Sequence, residues 1–200
     1  MDNLALAIGV LAGLVQLAGY WQYNQAMTSY YGHKPSTASW LMWGLGGGVE
    51  LLIFDSLVQS WSKDFLPMMC AVAAIFVFLR MWWRGVSFEL ERWDVLVIIP
   101  LDLALVAFYV VSRDPIASNV FLGVDILVSF LPTLWGTWKK PISEHPSPWR
   151  TWTFAYALLT MLVLLQWENG WELIYPVSCM VLHGTVWYLA QYRSVEAAGI

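Results

Sequence analysis

The chain has 200 residues, of which 59% are hydrophobic and 12% charged, with a formal net charge of −4 and a mean hydropathy of +0.59. A soluble domain carries about 25% charged residues, so this composition excludes an ordinary water-soluble globule. The absence of any basic cluster excludes a nucleic-acid partner, and membrane lipid is the expected solvent for most of the surface.

A bilayer core about 30 Å thick takes roughly 20 apolar residues of helix. Seven windows of about that size follow one another: Leu4–Tyr23, Trp40–Leu57, Leu66–Trp82, Val95–Val111, Ile116–Trp135, Trp149–Gln166 and Trp171–Tyr192. Solid apolar runs such as LLTMLVLL argue against a β-barrel, whose strands alternate with period two. The first window begins beside Asp2, with no basic stretch before it and no clear small-residue cleavage site after it. It is therefore expected to remain as helix 1 rather than to act as a signal peptide.

Helix 1 carries Gln16, Tyr20 and Asn24 at a spacing of four, which places them on one face. It also carries Gly9-x-x-x-Gly13, a pattern that lets helices or subunits approach closely. Helix 2 holds Gly44, Gly46, Gly47 and Gly48 just before Glu50, with Asp55 nearer its outer end. Glycines beside an acid suit a bending gate, whereas Asp55 is expected to be solvated. Helix 3 contains Pro67 and Cys70, and helix 4 has Asp102 soon after Pro100, whose missing N–H leaves a carbonyl unpaired and bends a helix. Helix 5 presents Asp125, Ser129 and Thr133, continued by Thr137, and helix 7 presents Tyr175, Cys179, His183 and Trp187, again four apart.

An ionisable side chain at the centre of a membrane helix costs about 2.5–3.5 kcal/mol on the insertion scale, so such residues face a bundle interior and mark a pathway. The competing role is interhelical hydrogen bonding that only holds the bundle together. For Asp102 and His183 the structural role is the first expectation. Glu50 and Asp125 are the acids placed to exchange a proton with a solute cycle. Cys70 and Cys179 behave as small apolar groups inside helices. Of the 14 tryptophans, Trp21, Trp40, Trp43, Trp61, Trp82, Trp83, Trp93, Trp149, Trp167 and Trp171 lie near helix ends, where an aromatic belt forms at the headgroups. Trp187 and Trp135 are expected to lie deeper, and an indole face there could stack on a sugar ring.

Lys34, Arg80, Arg84, Arg92, Lys139, Lys140, Arg150 and Arg193 fall on one side of the spans, and Lys63 and Arg113 on the other. The positive-inside rule then puts the N-terminus outside and the C-terminus in the cytoplasm, as expected of a bacterial inner-membrane protein.

Sliding the chain on itself reveals a repeat at an offset of 109. Trp40 and Trp43 match Trp149 and Trp152, so both units open their second helix with W-x-x-W; Pro67, Cys70 and Arg84 match Pro176, Cys179 and Arg193. The polar stripe of helix 1 likewise matches that of helix 5. The expected fold is all-α and integral to the membrane, with two parallel three-helix bundles joined by a linker helix (3+1+3). The units run over 1–84 and 114–193, with the loop and linker helix over 85–113 and a tail over 194–200.

The gapless duplication, together with GYWQYNQAM…KPSTASWLMW in the first unit and LPTLWGTWKKPISEHPSPWRTW in the second, resembles the SWEET/PQ-loop (MtN3-like) family, and especially small bacterial PQ-loop-like membrane proteins. Where that family has a Pro-Gln pair, this chain has Tyr23-Asn24 and Pro132-Thr133. The resemblance implies a transporter of a small polar solute, with a sugar as one candidate, working by alternating access between the two bundles. Its pathway residues would be Gln16, Tyr20, Asn24, Glu50, Asp125, Ser129, Thr133, Cys179, His183 and Trp187, with hinges at Pro132, Pro67 and Pro176.

No lysine lies in any span, which excludes a retinal Schiff base. There is no H-E-x-x-H, His33, His145 and His183 are scattered, and no nucleophile–base pair is legible. No enzyme activity, metal or cofactor is expected. The rival function is a seven-helix receptor or an accessory subunit of a larger membrane complex, and a homo-oligomer is open to either.

Overall fold

Hydrocarbon offers no hydrogen bond to a backbone amide, and a helix is the segment that satisfies its own amides throughout. The structure is a computed structural model that describes residues 2–29, 37–86, 88, 90, 92–141 and 144–197. His33 and Lys34 lie outside the described residues. Among those described, all regular structure is helical: α1 (Asp2–Ser29), α2 (Thr37–Val58), α3 (Trp61–Trp83), α4 (Ile99–Ser112), α5 (Pro115–Lys139), α6 (Pro146–Leu165) and α7 (Ile174–Ala197).

Six segments are long and apolar enough to cross a membrane, namely those built on α1, α2, α3, α4, α5 and α7. The 20-residue α6 is not among them, because its first two turns, PSPWRTW, are rich in proline, hydroxyl groups and a charge. α1 and α5 extend past the apolar windows read from the sequence. At 1.5 Å per residue the 28 residues of α1 reach about 42 Å, longer than a hydrocarbon core. α7 likewise continues through Ala197, into the stretch expected as tail.

Local sequence explains the irregular joints. A π-helical turn, Asp94–Ile98, leads directly into α4. Pro100 cannot donate to the turn below it, and a widened turn accommodates the break. At the other end of α4, Arg113 takes the left-handed conformation with φ 50. Asp114 then caps α5 by accepting from the amides of Ile116 and Ala117 at 3.0 and 3.1 Å, and Pro115 opens the helix where its missing N–H costs nothing. Pro67 and Pro132 sit inside continuous helices, whereas Pro176 falls in the first turn of α7 after the 3-10 turn Gly170–Leu173.

α3 packs against both α1 and α2, and α7 packs against both α5 and α6. α1 lies along α6, α2 along α5, and α4 rests on α5 and touches α2. The close approach of α1 to α3 depends on Gly9 and Gly13. A Cβ on Gly9 would run into the backbone carbonyl of Ser62, and one on Gly13 into the Phe65 ring and Met69. The Gly-x-x-x-Gly face is thus consumed inside the chain rather than left for a second subunit.

Replacing Gly9 with valine forces backbone apart at that contact and should cost about 1–3 kcal/mol or more of stability. Gly48→Ala should be neutral or stabilising, since an added methyl meets no atom within 4 Å there. Unfolding midpoints of the two variants in detergent test the difference.

Candidate functional site

The two W-x-x-W motifs do not lie in a headgroup belt. Trp40, Trp149 and Trp152 are 5%, 2% and 1% exposed, and Trp43 packs against the same core. The motifs face each other, with ring centroids 6.3 Å apart and edge-on between Trp43 and Trp149. Tyr20 of α1 stands between Trp40 and Trp152, at 5.8 and 5.0 Å. Burying an indole requires a partner for its N–H. Trp152 donates to the backbone carbonyl of Gln16 at 3.2 Å, and Trp149 to the Glu144 carboxylate at 2.8 Å. Trp21, Trp61, Trp82, Trp83, Trp93, Trp167 and Trp171 are exposed, as a belt requires. Trp135 is exposed as well, with the Lys139 ammonium 4.6 Å from its ring centroid, so the expected deep position does not hold for it.

Next to this aromatic layer lies a cavity to which all seven helices contribute. About 60 Å³ of it is open to the centres of water-sized molecules. One water needs about 10–15 Å³ on that measure, so there is room for roughly four to six. α2 supplies Trp43, Gly46, Gly47 and Glu50, and α5 supplies Asp125, Ser129 and Phe130. Tyr20, Cys70 and Asp102 enter from α1, α3 and α4, Trp152 and Tyr156 from α6, and Cys179 and His183 from α7. Several wall residues are partners at the 109 offset: Tyr20 with Ser129, Trp43 with Trp152, Gly47 with Tyr156, and Cys70 with Cys179.

Polar contacts around the cavity run from helix to helix. The Tyr20 hydroxyl is 3.1 Å from the Cys70 sulfur, and the hydroxyls of Tyr156 and Tyr175 are 3.3 Å apart. Glu50 lies near Tyr175, and Asp102 near Asp125. His183 donates from Nδ1 to the carbonyl of Cys179 at 2.7 Å and is ringed by Phe130, Trp149, Trp152 and Tyr156 at 5.0–5.7 Å. That bond fixes its neutral tautomer and leaves Nε2 as an acceptor. The Asp125 Oδ1 and Gln16 Oε1 atoms are buried with no hydrogen-bond partner.

Beyond Phe54 and Tyr175, whose rings stack 5.0 Å apart, the far end of the seam holds an ion pair. Lys63 of α3 and Glu172 of the 3-10 turn meet at 2.5 Å, at 1% and 0% side-chain exposure. They too are 109 residues apart. Lys63 also donates to the Gln166 carbonyl at 3.1 Å, Ser62 to the Gln166 side chain at 3.0 Å, and Asn169 to Glu172 at 3.1 Å. The charges are thus enclosed in a network that satisfies their remaining valences.

Of the residues singled out from sequence, Tyr20, Glu50, Asp125, Ser129, Cys179 and His183 border the cavity. Gln16 and Asn24 are buried on the same face of α1 but lie outside its wall. Thr133 is engaged through its carbonyl by the Thr137 hydroxyl at 2.7 Å, and the Trp187 indole donates to Gln191 at 2.5 Å; neither borders the cavity. Asp102, Tyr156 and the two inner tryptophans were not expected to line it. The W-x-x-W repeat was the available signal for the tryptophans, and the intramembrane charge for Asp102. Lys63 reads in sequence as a loop charge, and only the offset to Glu172 hints at its partner. Among the described residues, no group of three His, Cys, Asp or Glu side chains is placed to hold a metal ion. Neither a protein-family model, nor a curated protein, nor a solved structure matches the chain.

Removing one member of a buried ion pair strands the other, at a cost of about 3–5 kcal/mol. Lys63→Met and Glu172→Gln should each lower stability by that order. Exchanging the two charges, Lys63→Glu with Glu172→Lys, should recover much of the loss, because the partners share one enclosure. Denaturant titration of the three proteins gives the comparison.

Proposed function

We propose that this chain is a carrier of a small polar solute, of the SWEET/PQ-loop type, working by alternating access between two parallel three-helix units. α1–α3 form the first unit, α5–α7 the second, and α4 is the linker that returns the chain across the membrane. Matched adjacency supports the duplication: α3 and α7 are each the central helix of their unit, and α1 on α6 corresponds to α5 on α2. In this arrangement α6 is a seventh span. It passes mostly through protein, with Trp149, Trp152, Tyr156 and Leu159 among its buried residues, so it needs less apolar surface than a lipid-facing helix. The Lys and Arg distribution places the ion-pair end outside and the tryptophan end on the cytoplasmic side of a bacterial inner membrane.

The observation that carries the reading is the polar cavity in the seam between the units. A cavity with polar groups from every helix lies between the W-x-x-W layer and the Lys63–Glu172 pair; the layer joins two motifs related by the 109 offset, and the ion pair joins two residues 109 apart. A receptor needs a pocket open to one face, whereas a carrier needs a chamber that each end closes in turn. The aromatic layer and the ion pair are the two gates in this reading. An ion pair suits an outer gate, because water entering on opening offsets much of the cost of separating the charges.

Uptake of labelled sugars, amino acids, amines and nucleosides into proteoliposomes is the test. At least one should be accumulated by the wild-type chain. Gly46→Leu should abolish that uptake with little change in stability, since Gly46 borders the cavity and a Cβ added there meets no atom within 4 Å. A cleavable bifunctional thiol reagent bridging Lys63→Cys and Glu172→Cys should block uptake reversibly, with activity returning on reduction. Transport of none of the panel, or uptake undiminished by the crosslink, would overturn the carrier assignment.

A further inference from the structure

The walls of the cavity match in pairs, but its charge does not. Glu50, Asp102 and Asp125 stand on α2, α4 and α5, which pack together on one side of the seam. At the 109 offset Asp125 corresponds to Gln16 and Glu50 to Leu159, while Asp102 lies on α4 between the two units. No lysine or arginine is among the lining residues. Lys63, buried in the seam, is already held by Glu172. From α1 and α6, Tyr20, Trp152 and Tyr156 present an aromatic wall.

Three acids alone would not define a ligand, since neutral carboxyls can serve as hydrogen-bonding struts. A second observation does so here. Asp125 is 6% exposed, borders the cavity, and its Oδ1 has no donor within the protein. An unmade hydrogen bond at a buried acceptor costs about 1–3 kcal/mol, and a ligand donor entering the cavity is positioned to supply it. Carboxylates among aromatic faces, in a chamber lined by neither lysine nor arginine and whose His183 already donates to the Cys179 carbonyl, select positive charge: the acids by Coulomb attraction in a low dielectric, and the rings by their negative faces.

We propose that the cavity takes a small protonated amine, an organic monocation with N–H donors, whose ammonium group sits toward Asp125 and Glu50 while its body packs on Trp152 and Tyr156. This deepens the carrier reading by naming the class of its solute, and it rests on that reading only where movement across the membrane is concerned. Room for roughly four to six waters fits an amine of a few heavy atoms better than a hexose ring.

Equilibrium binding to the full-length protein in detergent, read by tryptophan fluorescence at neutral pH where an alkylamine is protonated, separates charge from shape. Ethanolamine and butylamine are compared with propanol, butanol, glycerol and acetate. The amines should bind at least about tenfold more tightly than the alcohols of matching size, and acetate should not bind. Asp125→Asn and Glu50→Gln should each weaken amine binding by about tenfold or more; if one variant fails to fold, the other and the wild-type amine-to-alcohol ratio still decide. Alcohols or glycerol binding as well as the amines, no amine binding, or amine affinity unchanged in the folded acid variants would overturn the inference. Uptake of a neutral solute without amine binding would overturn it and leave the carrier standing. Amine binding with no uptake of anything would support it and remove the carrier.

Discussion

Along the hydrocarbon there is no water to complete a polar group, so a polar side chain has to find its partner in its own helix or across a helix contact. The seam between α1–α3 and α5–α7 is where those partners meet. Trp152 reaches the α1 backbone, Tyr20 reaches Cys70, Tyr156 reaches Tyr175, and Lys63 reaches Glu172. Lipid tails are as apolar as leucine, which leaves packing and these polar contacts to hold membrane helices together. Close packing is provided where glycine removes the side chain, as at Gly9 and Gly13 against α3. The rest of the architecture follows from bringing the polar stripes inward while leaving leucine, valine and phenylalanine to the lipid.

That constraint also sets which parts of the seam are fixed and which hold a cavity. At the two ends large rings or opposite charges fill the space between the units. In the middle, Gly46 and Gly47 thin the α2 wall opposite α6, and volume remains. Gly47, whose bare backbone packs against Ala71, is matched by Tyr156 at the 109 offset, so one position holds no side chain where the other holds a ring and a hydroxyl. A strictly symmetric seam would have filled or emptied both positions. The departure from symmetry produces a chamber with one acidic and one aromatic side.

Helix existence was legible from hydropathy, because a span needs only length and apolar content, and the α1 stripe was legible from its spacing of four. Helix ends were less so: α1 and α5 continue into polar sequence, since a started helix is not obliged to stop at the lipid boundary. Trp40, Trp43 and Trp149 departed from the belt expectation for a definite reason. A ring near a helix end is equally compatible with a headgroup belt and with an inter-unit cluster, and only the partners of Trp149 and Trp152 separate the two. The stripe argument placed Gln16, Asn24 and Thr133 on inward faces without telling which depth is open. Depth depends on the neighbouring helix, and the relevant neighbours, α2 and α6, contribute glycine at one level and indole at another. Asp102 was legible as an intramembrane acid, but its approach to Asp125 depends on how α4 packs on α5 after the π turn, which spacing does not encode.

Opposite charges at equivalent positions give the last constraint. In a duplicated protein, residues that meet their own equivalents lie near the axis relating the two units, where two identical side chains would face each other. Two lysines or two glutamates there would repel in an enclosure of low dielectric. Lys63 and Glu172 avoid this by carrying opposite charges. The cavity likewise does not carry its acids in identical pairs at the 109 offset. Asp125 can face a chamber whose other side carries Gln16 in the equivalent place. Both the closure and the charge of the seam thus depend on residues that match in position and differ in chemistry.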